Sequence, residues 1–252
     1  MSERIWDKFL TERDREVFAI AGYGKRQGFG KRPALVIIDV SYGFCGEVSE
    51  PIQDSIKKWR NSCGEDAYVA LPYIQSLRDK AHERGIPVIY TTGIRRTDNW
   101  DAGSWSWKNA RHSEDVQLAA AGKLDPMEIH EMVAPGPRDI LCYKQKPSGF
   151  AGTPMASYLT LLGCDSIILT GTSTSGCVRA TCLDAFSLNY RVTLAEEGCF
   201  DRSQASHAIN LCDMNAKYAD VVATSEVLAY FDSLEQDMYD LPKGAGLLQP
   251  KL

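Results

Sequence analysis

Cys177 is the residue of this sequence with the clearest chemical setting. It follows a short apolar run, residues 166–170, and a small polar turn, and a helical pattern starts beside it. A cysteine between a strand and the amino end of a helix lies near unpaired backbone N–H groups and the positive end of the helix dipole. Both favour the thiolate, which is the reactive form of the side chain. The position therefore predicts a nucleophile.

Two further reactive side chains follow other apolar runs. Asp39 closes the run 34–39, and Lys144 follows the run 139–143. An acid, a cation and a thiol meet the requirements of covalent acyl transfer: the acid accepts the thiol proton, the cation holds both groups in register, and the thiolate attacks a carbonyl. Each residue also has an ordinary interpretation, as a turn aspartate, a solvated lysine or a space-filling cysteine. Taken singly, the three positions leave both interpretations open.

The apolar runs that carry these residues predict an α/β fold. Each run is followed by a helical pattern, which is typical of βαβ units and a parallel sheet. Ligands bind such sheets beyond the carboxyl ends of the strands, where all three residues lie. The predicted strands are 34–39, 86–91, 139–143, 166–170, 191–195 and 219–223, and the predicted helices lie near 68–84, 152–162, 177–189, 203–217 and 224–234. In the helix 177–189, a shared face that should pack on the sheet comprises Val178, Cys182, Ala185 and Phe186.

Composition narrows the class of protein. A chain of 252 residues with 44% apolar residues is long enough for a full core, and its net charge of −5 argues against a nucleic-acid surface. The N-terminus has no apolar signal core, and no apolar stretch is long enough to span a membrane. The eight cysteines form no CxxC pair. We therefore expect a cytoplasmic protein that binds neither nucleic acid nor membrane.

Two segments fall outside the alternating pattern. Residues 1–30 are charged, then glycine-rich and basic, so we expect an arm that packs on a neighbouring subunit or lies over the fold. Residues 97–126 lack periodicity but contain Trp100, Trp105 and Trp107, which favours a lid or an interface. The predicted organisation is an arm (1–30), one globular domain (31–235) and a C-terminal tail (236–252).

Three motifs occur together in the chain. They are ALVIID at 34–39, K-x-x-x-S-x-F-x-G-T at 144–153 and GTSTSGCVRAT at 171–181. This combination resembles the cysteine hydrolases of the isochorismatase-like superfamily and, within it, the N-carbamoylsarcosine amidases. The similarity continues through AEEGCFDR and NAKYADVV and covers roughly residues 28–232. The 171–181 string is the strongest of these signals.

The resemblance implies a fold and a catalytic site. The fold is a three-layer α/β domain, a six-stranded parallel sheet with helices on both faces in a Rossmann-like topology. The triad is Asp39, Lys144 and Cys177. A cis peptide between Thr172 and Ser173 is implied four residues before the nucleophile, and the backbone N–H groups of Ser173 and Cys177 would form the oxyanion hole. The resemblance also implies a homo-oligomer, with a tetramer favoured, and no cofactor.

Substrate binding is implied at Arg202, which matches an arginine that holds the substrate carboxylate in related amidases. A guanidinium suits this role because it can form a bidentate, charge-assisted pair. Arg95, Arg96, Trp105 and Trp107 lie in the segment that lines pockets of the family, without individual assignments. The metal site of related nicotinamidases has no counterpart, because the segment after the second strand contains no histidine. The four histidines show no ligand spacing either, so we predict no metal.

The expected activity is hydrolysis of a small linear amide or N-carbamoyl compound with release of ammonia. N-carbamoylsarcosine is the first candidate substrate, and maleamate, biuret and ureidoacrylate are the alternatives. Two other classes of function stay open: a non-catalytic protein that binds a small molecule in the same cleft, and a redox role for an exposed thiol of low pKa.

Overall fold

The alternating pattern of the chain forms a single sheet in the computed structural model, which describes residues 4–108 and 124–244. The strands are β1 (Pro33–Ile38), β2 (Val88–Gly93), β3 (Ile140–Lys144), β4 (Ser166–Thr172), β5 (Arg191–Phe200) and β6 (Asp220–Val222). Their order is β3-β2-β1-β4-β5-β6, and every neighbouring pair is parallel. From β1 the chain adds β2 and β3 on one side and β4, β5 and β6 on the other, so the direction of strand addition reverses between β1 and β4. An open α/β sheet binds ligands in the crevice at this switch point.

Helices connect the strands. They are α1 (Glu12–Ala21), α2 (Tyr42–Cys45), α3 (Ile52–Lys58), α4 (Glu65–Arg84), α5 (Ser104–Lys108), α6 (Met155–Leu161), α7 (Arg179–Ser187), α8 (Gln204–Lys217) and α9 (Thr224–Ser233). Short 3₁₀ turns occur at Asp7–Phe9, Trp100–Ala102 and Glu131–Val133, and a π turn spans Thr174–Val178. Among the described residues, no helix has the length and apolar character needed to cross a membrane.

The sheet has a hydrophobic core on each face. Along β1, Val36 and Ile38 pack into one cluster with α6, α7 and α8, whereas Leu35 and Ile37 pack into the other with α4 and α9. Successive side chains of a strand point to opposite faces, so a central strand covered by helices on both sides is apolar throughout. The predicted three-layer α/β fold with a six-stranded parallel sheet is confirmed.

Several boundaries differ from the prediction. β5 continues to Phe200 because its residues after Ala195 still pair with β4, although Glu196 and Glu197 interrupt the apolar pattern. The predicted helix 177–189 is a π turn followed by α7. Its predicted sheet-facing set was wrong at one position, since Phe186 is exposed and packs edge-on against Tyr218.

The N-terminal segment lies over the same chain. Trp6 is buried in a core cluster, and the backbone N–H groups of Gln27 and Gly28 donate to the carboxylate of Asp220 at the start of β6. Helix α1 itself buries no residue. The division into arm, domain and tail stays a prediction. Part of the predicted lid (109–123), part of the tail (245–252) and residues 1–3 lie outside the described residues.

Candidate active site

The three reactive residues predicted from the sequence converge at the switch point of the sheet. Asp39 directly follows β1, Lys144 is the last residue of β3, and Cys177 lies in the π turn after β4. Beside Asp39, a β-carbon at Gly171 would lie 2.1 Å from the carbonyl oxygen of Ile38. Gly171 also has a φ of +103°, which residues with a side chain rarely adopt, so glycine is required there.

The turn that carries Cys177 is tightly wound. The peptide bond between Thr172 and Ser173 is cis, and the π turn follows at once. Below the turn, the hydroxyl of Thr181 donates to the carbonyl oxygen of Cys177 (2.7 Å) and accepts from the N–H of Gly149 (2.9 Å). Single π turns occur frequently at functional sites. This one places the sulfur at the edge of a pocket and not inside a regular helix.

The ammonium of Lys144 joins the other two side chains. Its Nζ lies 2.7 Å from Oδ2 of Asp39 and 3.4 Å from Sγ of Cys177, and it also donates to the carbonyl oxygen of Lys146 at 3.2 Å. These contacts use the three protons of an ammonium group. Lys144 and Asp39 are 7% and 3% exposed, so the ion pair is withdrawn from water. The acid, the cation and the thiol thus form one connected group.

Thr91 on β2 orients the acid and was missed by the sequence analysis. Its hydroxyl donates to Oδ1 of Asp39 at 2.8 Å, while the backbone N–H of Asp39 donates to the Thr91 carbonyl at 3.1 Å. With Oδ1 bound to Thr91 and Oδ2 to Lys144, both carboxylate oxygens are occupied. A polar side chain at the end of an otherwise apolar buried strand was the available signal.

The surroundings of the Cys177 sulfur favour the neutral thiol. Burial raises the pKa of Cys177 to about 12, the charge of Asp39 adds to the rise, and Lys144 lowers the pKa by less than these two raise it. For Lys144, burial would lower the pKa, but Asp39 and Cys177 raise it above its ordinary value. The prediction that the strand–helix junction favours a negative sulfur was wrong for this state. Regular helix begins only at Arg179, and loss of hydration outweighs the nearby positive charge.

A cavity of about 250 Å³ opens above the three residues. Ser173 and Cys177, the predicted oxyanion-hole residues, line it, as does Arg202. The guanidinium of Arg202 donates to the carbonyl oxygen of Asn61 (2.6 Å) and lies 5.9 Å from the ring centre of Phe44, within cation–π range. Phe44 and Asn61 also line the cavity, and no sequence signal pointed to them.

The segment after β2 contributes the opposite wall. Arg95 and Trp105 line the cavity, and the indole N–H of Trp105 donates to the carbonyl of Gln145 at 3.0 Å. In contrast, Arg96 pairs with Asp98 on the surface, and Trp107 is 84% exposed. Of the four residues left without assignment, two therefore belong to the pocket.

The described histidines lie in separate hydrogen-bonding environments. His82 contacts Asp139, His130 contacts Tyr68, and His207 contacts Thr174. No cluster of three or more His, Cys, Asp or Glu side chains within residues 4–108 and 124–244 could hold a metal ion. The fourth histidine, His112, lies outside the described residues.

A parallel sheet that brings a thiol, a carboxylate and an ammonium together at its switch point defines an α/β protein equipped for nucleophilic chemistry. The isochorismatase domain family matches residues 33–226. The chain belongs to this family, which confirms the resemblance seen in the motifs.

Two relatives and one solved structure extend the comparison. The chain is 28% identical to an N-carbamoylsarcosine amidase of Arthrobacter sp over 96% of its own length and 87% of the relative's. It is 30% identical to a maleamate amidohydrolase of Pseudomonas putida over 82% of its own length and 90% of the relative's. A cysteine hydrolase from Pseudomonas syringae pv. phaseolicola shares the fold with a TM-score of 0.69 at 22% identity, covering 80% of this chain and 93% of that one.

Proposed function

We propose that this chain, an amidohydrolase of the isochorismatase family, uses Cys177 to cleave a small linear amide or N-carbamoyl compound with release of ammonia. The observation that carries the proposal is the position of the Lys144 ammonium, which contacts the Asp39 carboxylate and the Cys177 sulfur at the edge of one cavity. A buried ion pair beside a thiol supports acid–base and nucleophilic roles better than a merely structural one.

In the first half of the reaction, Asp39 accepts the thiol proton as Cys177 attacks the amide or ureido carbonyl carbon. Because burial and the charge of Asp39 raise the pKa of the thiol, the attack requires a group that accepts this proton, and Asp39 is the carboxylate beside it. The carbonyl oxygen becomes an oxyanion, which the backbone N–H groups of Ser173 and Cys177 stabilise. The tetrahedral species then collapses, the C–N bond breaks, and Asp39 returns its proton to the leaving nitrogen, so that ammonia departs.

In the second half, water replaces ammonia. The enzyme holds the acyl group as a thioester, or as a thiocarbamate if the substrate is an N-carbamoyl compound. Asp39 accepts a proton from water, the resulting hydroxide attacks the carbonyl carbon, and the C–S bond breaks. The proton on Asp39 returns to the sulfur, which regenerates the thiol. Throughout, Lys144 holds the carboxylate and the sulfur together and offsets the negative charge that each carries in turn.

The charges around the cavity favour a substrate with a carboxylate. Among the described residues, Lys146 and Arg202 line it as further cations besides Lys144, and Asp101 lines it as an acid besides Asp39. Asp101 is itself occupied by the N–H of Arg96 and the amide of Gln145. Together with the names of the relatives, this supports N-carbamoylsarcosine as the first candidate substrate, with maleamate and ureidoacrylate next and the neutral compound biuret last.

Ammonia release from a panel of these four compounds tests the proposal. We expect turnover of at least one carboxylate-bearing compound. In Arg202→Ala, the KM for that compound should rise at least about tenfold, because a charge-assisted pair is lost. Arg191→Ala removes an exposed arginine at the other end of the sheet and should leave the KM unchanged. No ammonia from any compound would contradict the function, and an unchanged KM in Arg202→Ala would contradict the anchor.

We also propose that the protein is cytoplasmic and that it forms a homotetramer. The first proposal is supported by the eight cysteines, which are free in the structure, as expected of a protein in a reducing compartment. The second is supported by the resemblance to the family. Light scattering after size-exclusion chromatography measures the oligomeric state, and a monomer would contradict the proposal.

A further inference from the structure

Asp201 is a buried carboxylate outside the proposed triad. It follows the last residue of β5 and is only 4% exposed. Within the described residues it takes part in no ion pair; instead, its oxygens accept three hydrogen bonds. Oδ2 accepts from the backbone N–H of Ser175 (2.8 Å) and from its hydroxyl (2.6 Å), and Oδ1 accepts from the N–H of Arg202 (2.8 Å).

These three bonds connect two parts of the pocket. Ser175 lies in the π turn, two residues before Cys177, whereas Arg202 provides the guanidinium proposed to hold the substrate. One carboxylate therefore ties the turn that presents the sulfur to the backbone that presents the cation. Hydrogen bonds to a charged acceptor are about twice as strong as neutral ones, so this connection is stiff.

A second tie supports the same turn. The hydroxyl of Thr174 is 3.2 Å from the carbonyl oxygen of Phe200, the residue before Asp201, and 2.8 Å from Nδ1 of His207. Both adjacent residues of the turn are thus attached to the end of β5. The thiol and the cation must keep a fixed separation to hold one end of a small substrate while attacking the other.

We propose that Asp201 is a positioning residue that sets the distance and orientation of the Cys177 thiol relative to the Arg202 guanidinium. The inference rests on the proposed function and extends it, because it assigns the alignment of nucleophile and substrate to a carboxylate that touches neither reacting atoms nor substrate.

The chemistry of the donors shows why a carboxylate is needed. All three partners are donors, and an aspartate presents acceptors to both sides. An asparagine of the same shape has one acceptor oxygen and one NH₂ group, which would face the N–H of either Ser175 or Arg202 as donor against donor. Asp201→Asn therefore breaks one side of the connection while leaving the packing nearly unchanged.

The test compares Asp201→Asn with Asp220→Asn. Asp220 is the control, since it is also buried (3% exposed) and accepts backbone N–H groups, from Gln27 and Gly28, away from the pocket. Unlike Asp201 it also pairs with an exposed arginine, because Nε of Arg26 lies 3.8 Å from its Oδ2. For a substrate that the wild-type protein hydrolyses, we expect Asp201→Asn to lower kcat by about 100-fold, the effect of a misalignment of about 1 Å. Asp220→Asn should retain kcat within about twofold while losing at least as much thermal stability.

A second readout does not depend on the substrate. The rate at which iodoacetamide alkylates Cys177, followed by mass mapping of its peptide, should change its pH dependence in Asp201→Asn but not in Asp220→Asn. Ser175→Ala removes only the hydroxyl bond, keeps the backbone bond and should lower kcat by about tenfold, so it replaces Asp201→Asn if that variant does not fold.

Wild-type kcat in Asp201→Asn, or in Ser175→Ala where that variant replaces it, would overturn the proposal. An equal loss of kcat in Asp220→Asn would overturn it as well. If the wild-type protein released no ammonia from any compound, the proposed function would fail, and the alkylation profiles alone would decide whether Asp201 positions the thiol.

Discussion

The floor and the wall of the pocket differ in burial and in how their charges are held. The floor consists of Asp39, Lys144 and Cys177, and its ion pair is almost inaccessible to water. The wall is formed by residues 94–108, where Trp100 is 83% exposed and Arg96 pairs with Asp98 on the surface. A buried ion pair cannot lose one partner without leaving an uncompensated charge, whereas exposed residues can change at little cost. The floor thus suits the reaction itself, and the wall suits selection among substrates.

The largest expected effect is at the nucleophile. Cys177→Ala should lower amide hydrolysis by at least about 10⁴-fold, because no other described thiol contacts the Asp39–Lys144 pair. Ammonia release and circular dichroism of the same sample measure activity and folding together. Cys164→Ala, a change outside the pocket, is the matched control and should keep wild-type activity. Substantial turnover by folded Cys177→Ala would show that Cys177 is not the nucleophile.

The second prediction concerns the ion pair of the floor. Lys144→Met should lower activity by about 10³-fold and the free energy of unfolding by about 3–5 kcal/mol, since Asp39 is left buried without its cation. Urea unfolding measures the second effect. The control is Lys217→Met, which breaks a partly exposed pair with Asp213 and should cost no more than about 1 kcal/mol. Equal destabilisation of the two variants would mean that burial does not distinguish the floor from the surface.

The third prediction is a pH dependence of the thiol. Because burial and Asp39 raise the pKa of Cys177 to about 12, the neutral thiol predominates at neutral pH and the thiolate fraction increases about tenfold per pH unit. The rate of alkylation of Cys177 by iodoacetamide, measured by peptide mapping from about pH 7 to 9, should rise throughout. A plateau below about pH 8 would show a thiolate already formed in the free protein.

The smallest expected effect is at the wall. Trp105→Ala removes a side chain that lines the pocket and donates to Gln145, and it should change the ranking of substrates by about three- to tenfold in kcat/KM. Trp107→Ala removes an exposed ring outside the pocket and should stay within about twofold of the wild-type protein. If both variants altered the ranking equally, position in the pocket would not explain specificity.

Much of the fold follows from local patterns. The six apolar runs and the helical periodicities between them predicted the parallel sheet, because strand and helix periods are properties of short segments. The predictions were wrong where contacts between distant segments decide the outcome. The predicted end of β5 was too early, because the strand continues through Glu196 and Glu197 while still pairing with β4, and the predicted sheet-facing Phe186 is exposed. These outcomes depend on neighbours that a short segment does not contain.

The candidate site was likewise predicted only in part from the sequence. The order of residues and the geometry of parallel strands placed Asp39, Lys144 and Cys177 at one edge of the sheet, since each follows or ends its own strand, and the resemblance to the family implied that they form a triad. The hydrogen bonds from Thr91 to Asp39 and from Ser175 to Asp201 join residues 52 and 26 positions apart, and no spacing rule connects them.

The chain order alone identified which chemical groups are present and at which edge of the sheet they lie. Folding in three dimensions decided their environment, and with it the direction in which the pKa of the thiol is shifted. Hydration and Coulomb interactions depend on distances through space, which neighbouring positions along the chain do not specify.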